Sequence, residues 1–301
     1  MPIRLAIHVG PHKTGSTSAQ RALAAARQRL AAEGVWYPES VAGAQWPEQH
    51  ADAWRLVARG RAGEFDDWLD GARLEAAERR CDTLFLSSEN FQAPGTRRAL
   101  DRVLRRWRRE GPTQLLWVHR DTTDLAASRA ASFITGEAGF YYLHRHDLRR
   151  WARRFALAQE RHRRWFTRRG ARIVPLDGHD RSTLAARLLE TATGRPFAWV
   201  VTGDHHVTAT RLADARAVMG YALRVMHHHA TGADPNEPAA FAAVQPLLPE
   251  IADETAFAEL ASRFHAAVRR EVAAGVADFE RLGPLGRQWL VWFDRSAPRR
   301  G

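Results

Sequence analysis

The feature that most constrains this chain is its opening: an apolar run, Ile3 to Val9, passes directly into a glycine turn and then into a helical pattern. The run has the length of a buried strand and is punctuated by Gly10 and Pro11. From Ser16 the apolar positions Ala19, Leu23, Ala26 and Leu30 recur at helical spacing, and Gly34 stops the pattern. A strand joined to a helix by a tight turn is half of a βαβ unit, so the start of the chain already predicts a parallel sheet with covered faces.

The alternation continues. Val35 to Tyr37 predicts a short strand before Pro38, and residues 41–80 read as a mostly helical insertion, with helices near 50–59 and 64–79. Further strands are expected at Thr83–Leu86, Gln114–Val118 and Ala171–Pro175. Helices are expected at about 96–109, 121–133, 147–168 and 181–192. From about 205 no strand stands out, and helices near 208–229 and 254–278 predict a helical C-terminal part. The expected fold is an α/β core over 1–204, with a P-loop-like parallel sheet flanked by helices and the insertion at 41–80. A helical extension over 205–301 is expected to pack on it. No internal repeat is visible.

Composition narrows the function classes. The 301 residues are 45% hydrophobic, enough for a full core, yet no run of eighteen apolar residues predicts a membrane span. The N-terminal apolar run lacks the longer core and cleavage site of a signal peptide. The single cysteine, Cys81, forms no internal disulfide and no cysteine-built metal site, which suits a reducing cytoplasm. The formal charge of +11 calls for an anionic partner: nucleic acid, acidic polysaccharide or an anionic cosubstrate. Arginine supplies all of the basic side chains but one, and the heavy Arg and Ala use points to a GC-rich coding bias. The lone lysine, Lys13, sits inside the glycine turn, where a compact ammonium differs in use from a planar guanidinium.

That turn, Gly10-Pro11-His12-Lys13-Thr14-Gly15-Ser16-Thr17, suits an anion. Backbone N–H groups and the helix dipole converge there, and the hydroxyls of Ser16 and Thr17 can donate. Read without such a ligand, it is a tight turn with a helix cap at Ser16. The loop of nucleotide triphosphatases places its lysine directly after the second glycine; here Lys13 precedes Gly15 by two residues.

The Lys-Thr-Gly-Ser-Thr order resembles the donor loop of the PAPS-dependent sulfotransferases, and the His before the Lys is similar to a bacterial branch of that superfamily. The resemblance implies that Lys13 contacts the bridging oxygen and the 5′-phosphate of the donor, 3′-phosphoadenosine-5′-phosphosulfate. It implies that Gly15, Ser16 and Thr17 hold that phosphate, with His12 and Thr14 in the same loop. Many members carry a Trp after the last Thr, packed on the adenine; Ser18 stands there in this chain.

A second match follows. The family's 3′-phosphate motif has an Arg at a strand end and a Ser eight residues later; Arg120 and Ser128 have that spacing. An arginine fork binds a phosphate monoester bidentately. The plain alternative pairs Arg120 with Asp124. His119-Arg120-Asp121 also imitates a kinase catalytic loop, but Ala126 stands where that loop needs Asn.

Transfer to an acceptor needs a base. Glu89, at the end of Ser87-Ser88-Glu89, holds the place where superfamily branches put a Glu or a His; His12 and His8 are the alternatives, and Ser88 either assists or caps. No metal is expected. The expected function is transfer of a sulfuryl group to a hydroxyl or amine of a carbohydrate, lipid, phenol or peptide. The rivals are an ATP-dependent small-molecule kinase and a non-catalytic nucleic-acid-binding protein; nucleic acid is not the expected partner.

Other features have plainer readings. Trp151, Phe155, Ala158, His162 and Trp165 predict the buried stripe of an amphipathic helix, with Arg150, Arg154, Arg161, Arg164 and Arg168 on its wet side. His227, His228 and His229 point in different directions on a helix and are given no role. Tyr141 and Tyr142 are expected in a loop near the acceptor cleft, and Arg287 is a distant echo of the family's C-terminal basic-glycine loop.

Overall fold

The computed structural model describes residues 2–11, 16–44, 47–89, 94–135, 148–176, 182–202, 269–270 and 272–281. Five strands form one sheet: β1 (Arg4–His8), β2 (Val35–Trp36), β3 (Thr83–Ser87), β4 (Thr113–His119) and β5 (Arg172–Pro175). Their order is β2-β3-β1-β4-β5. All four pairings are parallel. The expected α/β class is therefore present, and every expected strand is found within about two residues of its predicted bounds.

Parallel neighbours cannot be joined by a hairpin, so each connection must cross a face of the sheet. Seven described helices fill those connections, α1 (Ser16–Ala25), α2 (Arg27–Ala32), α3 (Ala51–Ala58), α4 (Ala62–Glu78), α5 (Pro94–Trp107), α6 (Thr122–Thr135) and α7 (Leu148–Thr167), and α8 (Leu184–Thr193) follows β5. The helix expected to run unbroken from Ser16 is interrupted at Ala26. Gly34 adopts φ 83° and Gly194 φ 77°, left-handed stops that a side chain would strain.

The two sheet faces bury different sets. Leu5, Ile7 and Val9 of the first strand and its exit share a core with Trp54, Phe65, Leu69, Leu100 and Trp107. Ala6, between them, faces the other way, with Leu23, Tyr37, Phe85, Leu116, Leu188 and Phe197. The segment 41–80, expected as an insertion, thus supplies α3 and α4 as the β2-to-β3 crossover and as cover for one face. Trp54 and Phe65 are completely buried there.

The chain divides into two compact units, Met1–Arg120 with Glu160–His206, and Asp121–Gln159 with Val207–Gly301. In the second unit Asp121 caps α6 by accepting the Asp124 N–H at 2.9 Å. Asp124 pairs with Arg269 at 2.6 Å. Leu125, Trp151, Leu157, Val272, Val276 and Phe279 are buried. No helix among the described residues is long and apolar enough to cross a membrane.

The α7 stripe is buried much as expected, centred one residue over at several turns: Trp151, Ala152, Ala156, Gln159, His162 and Phe166 are inside. Arg154, Arg164 and Arg168 are exposed.

Candidate functional site

Because β3, β1 and β4 are adjacent and parallel, their carboxyl ends emerge side by side. His8 aligns with Ser87 on one flank and with Leu116 on the other. The ladder runs on through Ser88 N–H to His8 O (3.1 Å) and Val9 N–H to Leu116 O (2.9 Å). The exit of β1 at Gly10, the β3 tip with Glu89, and the β4 tip with His119 and Arg120 therefore lie on one edge of the first unit. In open α/β sheets this is the edge where ligands bind.

Gly10 is required by its surroundings. A β-carbon there would lie 2.6 Å from His8 Nε2 and 3.4 Å from Val118 Cβ. The first approach is closer than non-bonded atoms tolerate. At the far end of the loop, Ser16 opens α1 and is buried, Thr17 is half-buried, and Ser18, at the family's tryptophan position, is buried. His12, Lys13, Thr14 and Gly15 lie outside the described residues, as do Tyr141, Tyr142, His227, His228, His229 and Arg287. Ser128 lies on α6, half-buried, in the second unit, whereas Arg120 closes the first.

Below the edge lies a buried polar cluster built from distant parts of the chain. Ser87 Oγ sits 2.8 Å from His8 Nδ1 and accepts the Gln20 amide N–H at 2.9 Å. The Ser87 backbone N–H donates to His50 Nδ1 at 2.8 Å. His50 therefore carries its proton on Nε2, which donates to Pro38 O at 2.9 Å. The Tyr37 hydroxyl donates to Glu48 O at 2.7 Å. His8, Gln20, Tyr37, His50 and Ser87 are all essentially without solvent exposure.

Burial sets the charge state of both histidines. Desolvation pushes His8 down to about 4, and the nearby Glu89 carboxylate only partly opposes it. Desolvation likewise holds His50 at about 4. Both are neutral at pH 7. Glu89 itself is buried, 8% exposed, and engaged in further interactions. His8 Nε2 is buried and has no hydrogen-bond partner among the described residues.

Compared with known proteins, the chain matches no family model, no curated protein and no solved structure.

Sequence reasoning located the three strand ends but not the cluster beneath them. Gln20, Tyr37, His50 and Ser87 read as ordinary helix, strand and loop residues, and their partners lie 11 to 79 positions away. Only the glycine packed against a histidine two residues before it carried a local hint. A third buried imidazole lies on the apolar stripe of α7: His162 Nδ1 accepts from Arg97 at 2.5 Å, and desolvation with the Arg97 charge holds it at about 4. No group of three His, Cys, Asp or Glu suited to a metal occurs among the described residues.

Proposed function

We propose that the chain transfers a sulfuryl group from 3′-phosphoadenosine-5′-phosphosulfate to a hydroxyl or amine. The observation that carries this reading is the strand order: the glycine-loop strand stands directly between the Glu89 strand and the Arg120 strand. A donor with phosphates at both ends of its ribose needs cationic groups on two neighbouring strand ends. The loop following β1 contains Lys13, and β4 ends at Arg120. The Lys-Thr-Gly-Ser-Thr resemblance supplies the chemistry that distinguishes this from other anion sites.

In this reading Glu89 takes the acceptor proton as the acceptor oxygen or nitrogen bonds to sulfur. The bond from sulfur to the 5′-phosphate oxygen breaks, and 3′-phosphoadenosine 5′-phosphate leaves. Lys13 neutralises the charge growing on that oxygen, Ser16 and Thr17 hold the phosphate, and Arg120 holds the 3′-phosphate. No metal takes part in the reaction as proposed. The acceptor class is open among carbohydrate, lipid, phenol and peptide. Cys81, a buried free thiol, suits a reducing compartment, and the reaction is proposed for the cytoplasm.

Calorimetry with adenosine 3′,5′-bisphosphate and with ATP tests the assignment. Binding of the bisphosphate in preference to ATP is expected; the reverse preference would support a kinase. Lys13→Ala should lower transfer by about 100-fold or more, on the scale of losing one preorganised charge contact. Glu89→Gln should lower turnover by about 100-fold with little change in bisphosphate affinity, and unchanged turnover would remove Glu89 as the base.

A further inference from the structure

Buried polar atoms almost always have partners, so His8 Nε2 demands an account. Its neighbours determine what it can offer. Ser87 Oγ already accepts the Gln20 N–H, so its own proton is free to be donated. The acceptors within its reach are His8 Nδ1, at 2.8 Å, and the Tyr37 hydroxyl oxygen. The sp² ring nitrogen is the stronger acceptor of the two. With Nδ1 accepting, the ring proton sits on Nε2.

Nε2 lies beside Gly10, where an added β-carbon would fall 2.6 Å from it, at the start of the loop that contains Lys13 and at the end of the strand that stands between β3 and β4. Burial keeps the ring neutral, so it gives a hydrogen bond without adding a charge of its own.

We propose that His8 is a ligand-binding residue whose Nε2–H donates to an anionic oxygen of the phosphate group bound at the end of β1. This rests on the donor-loop reading above, and it turns His8 from a rival proton acceptor into a fixed donor. Ser87 and Gln20 are then positioning residues: they hold the ring tautomer and touch no ligand.

The test combines binding with nitrogen NMR of the imidazoles, using adenosine 3′,5′-bisphosphate and inorganic pyrophosphate as probes. In the unliganded wild-type chain, the His8 resonances, assigned through their correlations to the His8 backbone, should show a bare Nδ1 and a protonated Nε2. Either probe should shift the Nε2–H signal. His8→Leu should weaken binding by about 10- to 100-fold, the range for a hydrogen bond to a charged group, while His8→Gln, whose amide can reach the same spot, should recover part of it. Should both variants fail to fold, the wild-type spectra alone decide. A proton found on Nδ1, or a probe that binds while the His8 signals stay still, overturns the proposal and leaves the nucleotide reading standing. Pyrophosphate that shifts His8 while the bisphosphate does not bind overturns the nucleotide reading and keeps His8. A wild-type chain that binds neither probe overturns both.

Discussion

At residue scale, the strand exit is a packing problem solved by one missing methyl group. Gly10 has no left-handed backbone to justify it; the reason is the imidazole edge 2.6 Å from where Cβ would stand. Gly10→Ala should therefore cost about 1–3 kcal/mol, the usual range for overpacking. The same substitution in a His8→Ala background should cost markedly less. Urea titration of the two singles and the double measures this coupling, and strictly additive losses would show that the clash is not with His8. Asp124 shows a partner chosen from a distance in sequence: it pairs with Arg269 at 2.6 Å, a guanidinium far along the chain.

At element scale, α3 and α4 are a structural layer. Trp54 and Phe65 stand 4.7 Å apart, ring centre to ring centre, inside the core that also buries Leu5 and Ile7. Phe65→Ala should cost about 3–5 kcal/mol, read as a shift in the chemical-denaturation midpoint. A loss below about 1 kcal/mol would mean that this segment is a dispensable appendage. The polar side of α4 meets α5 through Arg102–Asp66 at 3.1 Å and Arg106–Asp70 at 2.5 Å, with Arg73 also on Glu110. Such part-exposed pairs contribute about 0–1 kcal/mol each, so they set register more than stability. They also show where part of the arginine excess goes: into ladders between helices, not into a continuous basic stripe.

At the scale of the whole molecule, three buried histidines tie stability to pH. His8, His50 and His162 each titrate near 4 when folded, against 6.5 in the unfolded chain, because burial disfavours the imidazolium. The unfolded chain binds more protons between those values, so stability is full above about 6.5 and falls as pH drops toward 4. Each histidine contributes about 3 kcal/mol to that loss, a sum that rivals the stability of a typical domain. Melting temperature followed from pH 7 to pH 4.5 should decline steadily through this window. A flat profile would mean that the imidazoles reach solvent.

Much of this protein was determined by the sequence alone. Among the described residues, periodicity of apolar residues places every strand and nearly every helix, since burial of one face or two is a local pattern. The glycine turn, Glu89 and Arg120 are legible because each sits where a strand stops. Tertiary structure alone decided the strand order, which makes those three ends neighbours, and the cluster of His8, Gln20, Tyr37, His50 and Ser87 beneath them. The physical reason is the range of the forces. A strand or helix is written in contacts within a few residues. A buried hydrogen bond joins whichever donor and acceptor the packed layers bring within 3 Å, and for Ser87 those partners come from 37 to 79 residues away.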